Sequence, residues 1–210
     1  MTVKELHDNL YDEKTPRNPR SFIDSYETSI DLINGVDLSN LIDYDYVMRL
    51  TCDCGILLEN SGYLKKSIQY LDKAIDLVEN FPNYQKEKLF DIQYYELIVF
   101  HKARALYNLK KYKDSKLLFD RLDKAFPNND KYQSWILGIK AKKYDYFIWS
   151  GTGVILADLI LRTFLKGKFP LFDKLSLWIL IFALIFSATF EIIKRIELKK
   201  RKNNATKHAV

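Results

Sequence analysis

The chain has two cysteines, three histidines and no glycine-rich phosphate loop, and each shortage removes a class of chemistry. Cys52 and Cys54 stand two residues apart in a helical pattern, where side chains do not face one another, so neither a disulfide nor a shared metal site is easily built. With no second Cys/His cluster at zinc spacing, both thiols read as buried or half-buried packing groups in a reducing compartment. His7, His101 and His208 are scattered, with no Ser, Cys or carboxylate arrangement that suggests a triad or a metal centre. Gly151-Thr152-Gly153 lies inside an apolar run rather than between a strand and a helix, which removes a nucleotide loop. Neither an enzyme nor a bound cofactor is therefore expected. An apolar leader is missing as well: Met1 to Arg20 carries Glu5, Asp8, Asp12 and Glu13 where a signal peptide needs its apolar core, so the head is not expected to be exported.

The net charge of +6 is not spread along the 210 residues. Residues 1–143 carry 22 basic and 22 acidic side chains, whereas 144–210 carry 11 and 5. An excess confined to the last third points to lipid headgroups and away from nucleic acid.

That third holds two long apolar runs, 146–165 and 175–193. A helix rises ~1.5 Å per residue, so about 20 residues cover the ~30 Å hydrocarbon core, and both runs qualify as transmembrane helices. Tyr146, Trp149 and Trp178 sit near their boundaries, as interfacial aromatics do. Lys140, Lys142 and Lys143 precede the first run; Lys194, Arg195, Lys199, Lys200, Arg201 and Lys202 follow the second; Lys166, Lys168 and Lys174 lie between them. Nine basic residues against three place both termini in the cytoplasm of a two-span, multi-pass protein of a bacterial inner membrane, its connecting loop on the far side. The basic residues from Lys194 to Lys202 are expected on the anionic headgroups of the inner leaflet.

Within the spans, an antiparallel hairpin aligned at its midplane sets Gly153 level with Ser187 and Ala157 level with Ala183. Small residues four apart let helix backbones approach in lipid, so these four form the expected seam; a homo-oligomer contact is the competing use. Asp158 and Arg162, four apart, each cost about 2.5–3.5 kcal/mol near the centre of an isolated span. Either they pair on one helix face, or they mark an oligomer interface or a polar pathway.

Upstream, Asn18 caps and Pro19 opens a first amphipathic helix that runs to Gly35. Further helices follow over about 41–60, 63–79, 84–109 and 111–125, and another starts near Asp130. The domains expected are a polar segment 1–20, a helical head 21–143, a transmembrane hairpin 144–195 and a basic tail 196–210. Gly55, Leu58, Gly62, Leu64, Ser67, Leu71 and Ala74 fall at the small and large positions of a helix-hairpin repeat. Ala103, Leu106, Tyr112, Ser115, Phe119, Leu122 and Pro127 do the same, and Trp135 with Gly138 looks like the start of a third unit. Over residues 44–127 the chain thus resembles the tetratricopeptide-repeat family, although Gly55 and Ala103 are 48 residues apart where that family repeats every 34. The resemblance implies an all-α head of antiparallel helix hairpins, with a concave surface for a protein partner. A membrane-anchored adaptor is the function expected; an oligomeric membrane effector or channel gated by the head is the alternative.

Overall fold

Cap chemistry starts the helices at the N-terminal end. In the computed structural model, which describes residues 1–12, 18–82, 84–127, 129–165 and 170–207, Thr2 and Glu5 form a reciprocal capping box that opens α1 (Val3–Leu10). Side chains at 93, 165, 170–174, 198 and 200–207 also lie outside the described residues. Asn18 accepts from the Arg20 amide ahead of α2 (Pro19–Thr28), and Asn40 accepts from the Ile42 amide ahead of α4 (Leu41–Asn60). Between them, α3 (Ile30–Asn34) follows a break at Ser29, whose amide reaches back to Ser25 and Tyr26. The single helix expected from Asn18 to Gly35 is thus two. No strand occurs among the described residues.

The contacts divide the chain into Met1–Phe126 and Pro127–Val210. Within the first unit, Val3 and Leu6 of α1 are buried with Phe22, Ile23, Val47 and Leu50. Residues 1–20 were expected to stand outside the head as a polar segment. The two buried side chains, each contributing about 1.5–3 kcal/mol, make α1 part of its core instead.

The rest of this unit is two helix hairpins, α4 with α5 (Leu64–Glu79) and α6 (Gln93–Asn108) with α7 (Tyr112–Ala125). They agree in detail at an offset of 48 residues. The Ser67 hydroxyl donates to the Gly55 carbonyl and the Ser115 hydroxyl to the Ala103 carbonyl, both at 2.8 Å. Gly62 and Lys110 both take positive φ, 84° and 62°, and the next amides, of Tyr63 and Lys111, bond back to Leu58 and Leu106, each at 2.9 Å. A small residue is required at 55 because a Cβ there would lie 2.8 Å from Leu71 Cδ2. The segment between the hairpins holds a 3₁₀ helix (Lys86–Asp91), so α6 starts at Gln93 rather than at the expected Tyr84.

The second unit is two long helices, α8 (Asp130–Leu165) and α9 (Pro170–Lys207), packed as an antiparallel hairpin. Because α8 is unbroken, residues 130–143 belong with the apolar stretch they lead into, and the division falls at Phe126 rather than at the expected 143. The expected loop residues Lys166 and Lys168 lie outside the described residues.

Candidate functional site

Both long helices turn apolar side chains outward. Each contains a stretch long and apolar enough to cross a membrane, and only 11% of either stretch is buried. Trp149, Phe164, Trp178 and Phe182 stand exposed, as do Leu156, Ile160 and Ile185. A helix buried in the core of a water-soluble protein hides such a stretch; here it stays uncovered.

The hairpin buries polar side chains between its helices. Asp158 of α8 is 4% exposed and accepts from the Ser176 hydroxyl of α9 at 2.5 Å. Arg162 Nε lies 3.2 Å from the other Asp158 oxygen and donates to Ser176 Oγ at 2.5 Å. One aspartate, one arginine and one serine thus close a triangle across the two helices, each offsetting part of the desolvation of the others, while Asp158 Oδ2 and Arg162 Nη2 are buried without a hydrogen bond among the described residues. Asp158 is about 20 Å of helix rise from Asp145 and about 10 Å from Leu165, so the triangle sits towards the loop end of the span.

About two turns away, Gly151 meets Ser187: a Cβ on Gly151 would lie 2.0 Å from Ser187 Oγ and 3.4 Å from the Ala183 carbonyl. Ser187 Oγ is buried without a hydrogen-bond partner among the described residues. The seam expected through Gly153, Ala157, Ala183 and Ser187 therefore keeps only its α9 half. Nothing lies within 4 Å of a Cβ on Gly153, and Ala157 is exposed. The helices meet about two residues out of the expected register, and two residues turn a helix by about 200°, which carries Gly153 and Ala157 to the outer face. The contacting α8 stripe is Phe147, Gly151, Asp158 and Arg162, at spacings of four, seven and four.

At the other end Asp145 holds two cations, Lys142 at 3.2 Å and Lys194 at 2.5 Å, while Phe147 stacks on Phe190 with centroids 4.6 Å apart. Arg195 pairs with Glu191 at 2.9 Å. Of the residues expected on headgroups, Lys194 and Arg195 are thus engaged within the hairpin, and Lys199 is exposed. The side chains of Lys200, Arg201 and Lys202 lie outside the described residues.

The first unit carries a buried ion cluster of its own. Glu59, its side chain 1% exposed, accepts from Arg104 at 2.9 and 2.6 Å and lies 3.0 Å from His101 Nδ1. Burial alone would raise the Glu59 carboxyl; the hydrogen bonds from His101 and Arg104 outweigh it and hold the group below the usual carboxylate range. His101, which the sequence leaves isolated, is therefore one arm of a hydrogen-bonded clamp between α4 and α6. Cys52 and Cys54 are both buried and unbridged, and burial pushes the Cys54 thiol up to about 12, which leaves it protonated and inert. Among the described residues no group of three or more His, Cys, Asp or Glu can hold a metal ion.

At the other end of α4, about 22 Å of helix rise from Glu59, α4 and α5 border a groove of ≈ 620 Å³ with an apolar floor and a charged rim. Tyr44 and Phe81, stacked with centroids 3.8 Å apart, form the floor together with Leu77; Lys73 and Asp76 stand at the rim.

No protein-family model, no curated protein and no solved structure matches this chain. The geometry itself defines the class: an all-α chain with two C-terminal apolar helices long enough to span a membrane.

Proposed function

We propose that the chain is a membrane-anchored adaptor, with a repeat-like head in the cytoplasm and the α8/α9 hairpin in the inner membrane. The observation that carries this reading is the hairpin's inverted polarity, with apolar side chains outside and the Asp158–Arg162–Ser176 triangle within. Such an arrangement is stable in hydrocarbon and unfavourable in water. The 48-residue correspondence of the two head hairpins supports tetratricopeptide-like stacking, and the Tyr44/Phe81 groove supplies a surface for a short protein segment. Anchoring raises the local concentration of whatever the head binds. The same triangle favours an anchor over a channel, because its charges are turned towards one another within a single hairpin and not towards a shared pore.

Two measurements test the reading. Full-length protein should stay with the membrane pellet after alkaline carbonate extraction; release into the supernatant overturns the anchor. A protein that co-purifies with the detergent-solubilised full chain should be lost on Lys73→Glu at unchanged helicity; an identical set of bound proteins with and without the substitution overturns the groove as the recruiting surface.

A further inference from the structure

The basic end of the hairpin supports an inference that rests on the membrane reading above. Three contacts define the register there: Asp145 with Lys194, Phe147 with Phe190 and Gly151 with Ser187. Continued along both helices, this register sets Lys140 of α8 level with Lys199 of α9. Lys140 and Lys143, three residues apart, share a face of α8. All three lysines are exposed, and none forms an ion pair among the described residues. Lys142 and Lys194 differ, since both are drawn onto Asp145. Aromatic side chains flank the lysines on the span side: Lys143 Nζ lies 4.8 Å from the Tyr144 ring centroid, and Tyr146 and Trp149 stand 74% and 73% exposed. Tyrosine and tryptophan settle at headgroup depth, which places lysines one turn further out at the level of lipid phosphates.

We infer that Lys140, Lys143 and Lys199 form a two-helix collar that binds the phosphates of anionic phospholipids, and that Asp145 limits its strength by occupying Lys142 and Lys194. The ligand is a phosphodiester bearing net negative charge at the membrane surface, met by flexible ammonium donors that act as point charges. A basic side chain near an anionic surface changes partition about fivefold, so three exposed lysines suffice for selection and two more are held in reserve. Neutralising Asp145 removes a negative charge and frees both reserve cations, so the collar should bind more strongly without it.

The test uses the full chain reconstituted in phosphatidylcholine vesicles containing a trace of spin-labelled phosphatidylglycerol or spin-labelled phosphatidylcholine. The motionally restricted fraction in each electron spin resonance spectrum gives the relative association constant. Phosphatidylglycerol should be preferred several-fold. Replacing the collar lysines together (Lys140→Gln, Lys143→Gln, Lys199→Gln) should bring the preference close to one, and Asp145→Asn should raise it. No preference in the parent chain, or an unchanged preference in the triple variant, overturns the collar; an Asp145→Asn variant that does not gain overturns the limiting role. Inorganic phosphate at matched ionic strength should leave the preference intact, and its loss would assign the site to free phosphate instead. Failure of the parent chain to float with the vesicles sinks the membrane reading itself, a result distinct from floating without lipid preference.

Discussion

Glu59 shows how one buried acid can stiffen a helical head. Its carboxylate is stabilised in the folded chain by His101 and Arg104, so its folded pKa lies below its unfolded one. The stability it contributes is fully present above the ordinary carboxylate value of about 4.3 and is lost as pH falls through the lower, folded value. Glu59→Gln should therefore cost about 3 kcal/mol at pH 7, at the low end for a broken buried pair because Arg104 keeps partial access to water. The variant should also lose less helicity than the parent between pH 7 and pH 3; circular dichroism in detergent measures both effects. None of this could be read from residue order. Glu59 and His101 are 42 residues apart, and an isolated histidine on an apolar helix carries no mark of its partner.

Among helices, the two turns at Gly62 and Lys110 make a matched pair with unequal residues. Both adopt positive φ, but only glycine does so without steric cost. Lys110→Gly should raise the head's stability by about 1 kcal/mol, read as a higher thermal midpoint, whereas Gly62→Ala should lower it by a similar amount. In the hairpin, Gly151→Val should disrupt the α8/α9 contact, and Gly153→Val should leave it intact. Trp149 and Trp178 emission in detergent distinguishes the two. Element existence was legible because punctuation was strong: Asn18-Pro19, Ser61-Gly62 and Phe81-Pro82 mark ends that the structure keeps within a few residues. The face of α8 was not legible, since two glycines two residues apart offer opposite faces and a midplane alignment picks the wrong one. Nor was α1, whose capping box at Thr2 and Glu5 was hidden in a segment with few apolar residues.

For the whole molecule, charge asymmetry and apolar length were the readable quantities, and both survive in the structure as a hairpin with uncovered apolar flanks. Orientation remains a proposal with a direct check: a reporter active only outside the cytoplasm should stay dark when fused at either terminus, and one active only inside should work at both. Opposite signals from the two ends would mean that a single helix crosses. The correspondence of the two head hairpins was visible at its 48-residue spacing because small residues recur where helices touch. The proposed partner was not, because a groove's occupant leaves no trace in the groove's own sequence.

The Asp158–Arg162–Ser176 triangle also bears on the order in which the protein is made. In the proposed membrane reading, Asp158 and Arg162 leave the ribosome before Ser176, so for an interval α8 carries two charges with only half of their eventual partners. A chain truncated just beyond Leu165 should insert poorly, and one extended through α9 should enter lipid as a preassembled pair. Biogenesis would then count two helices as one unit of insertion.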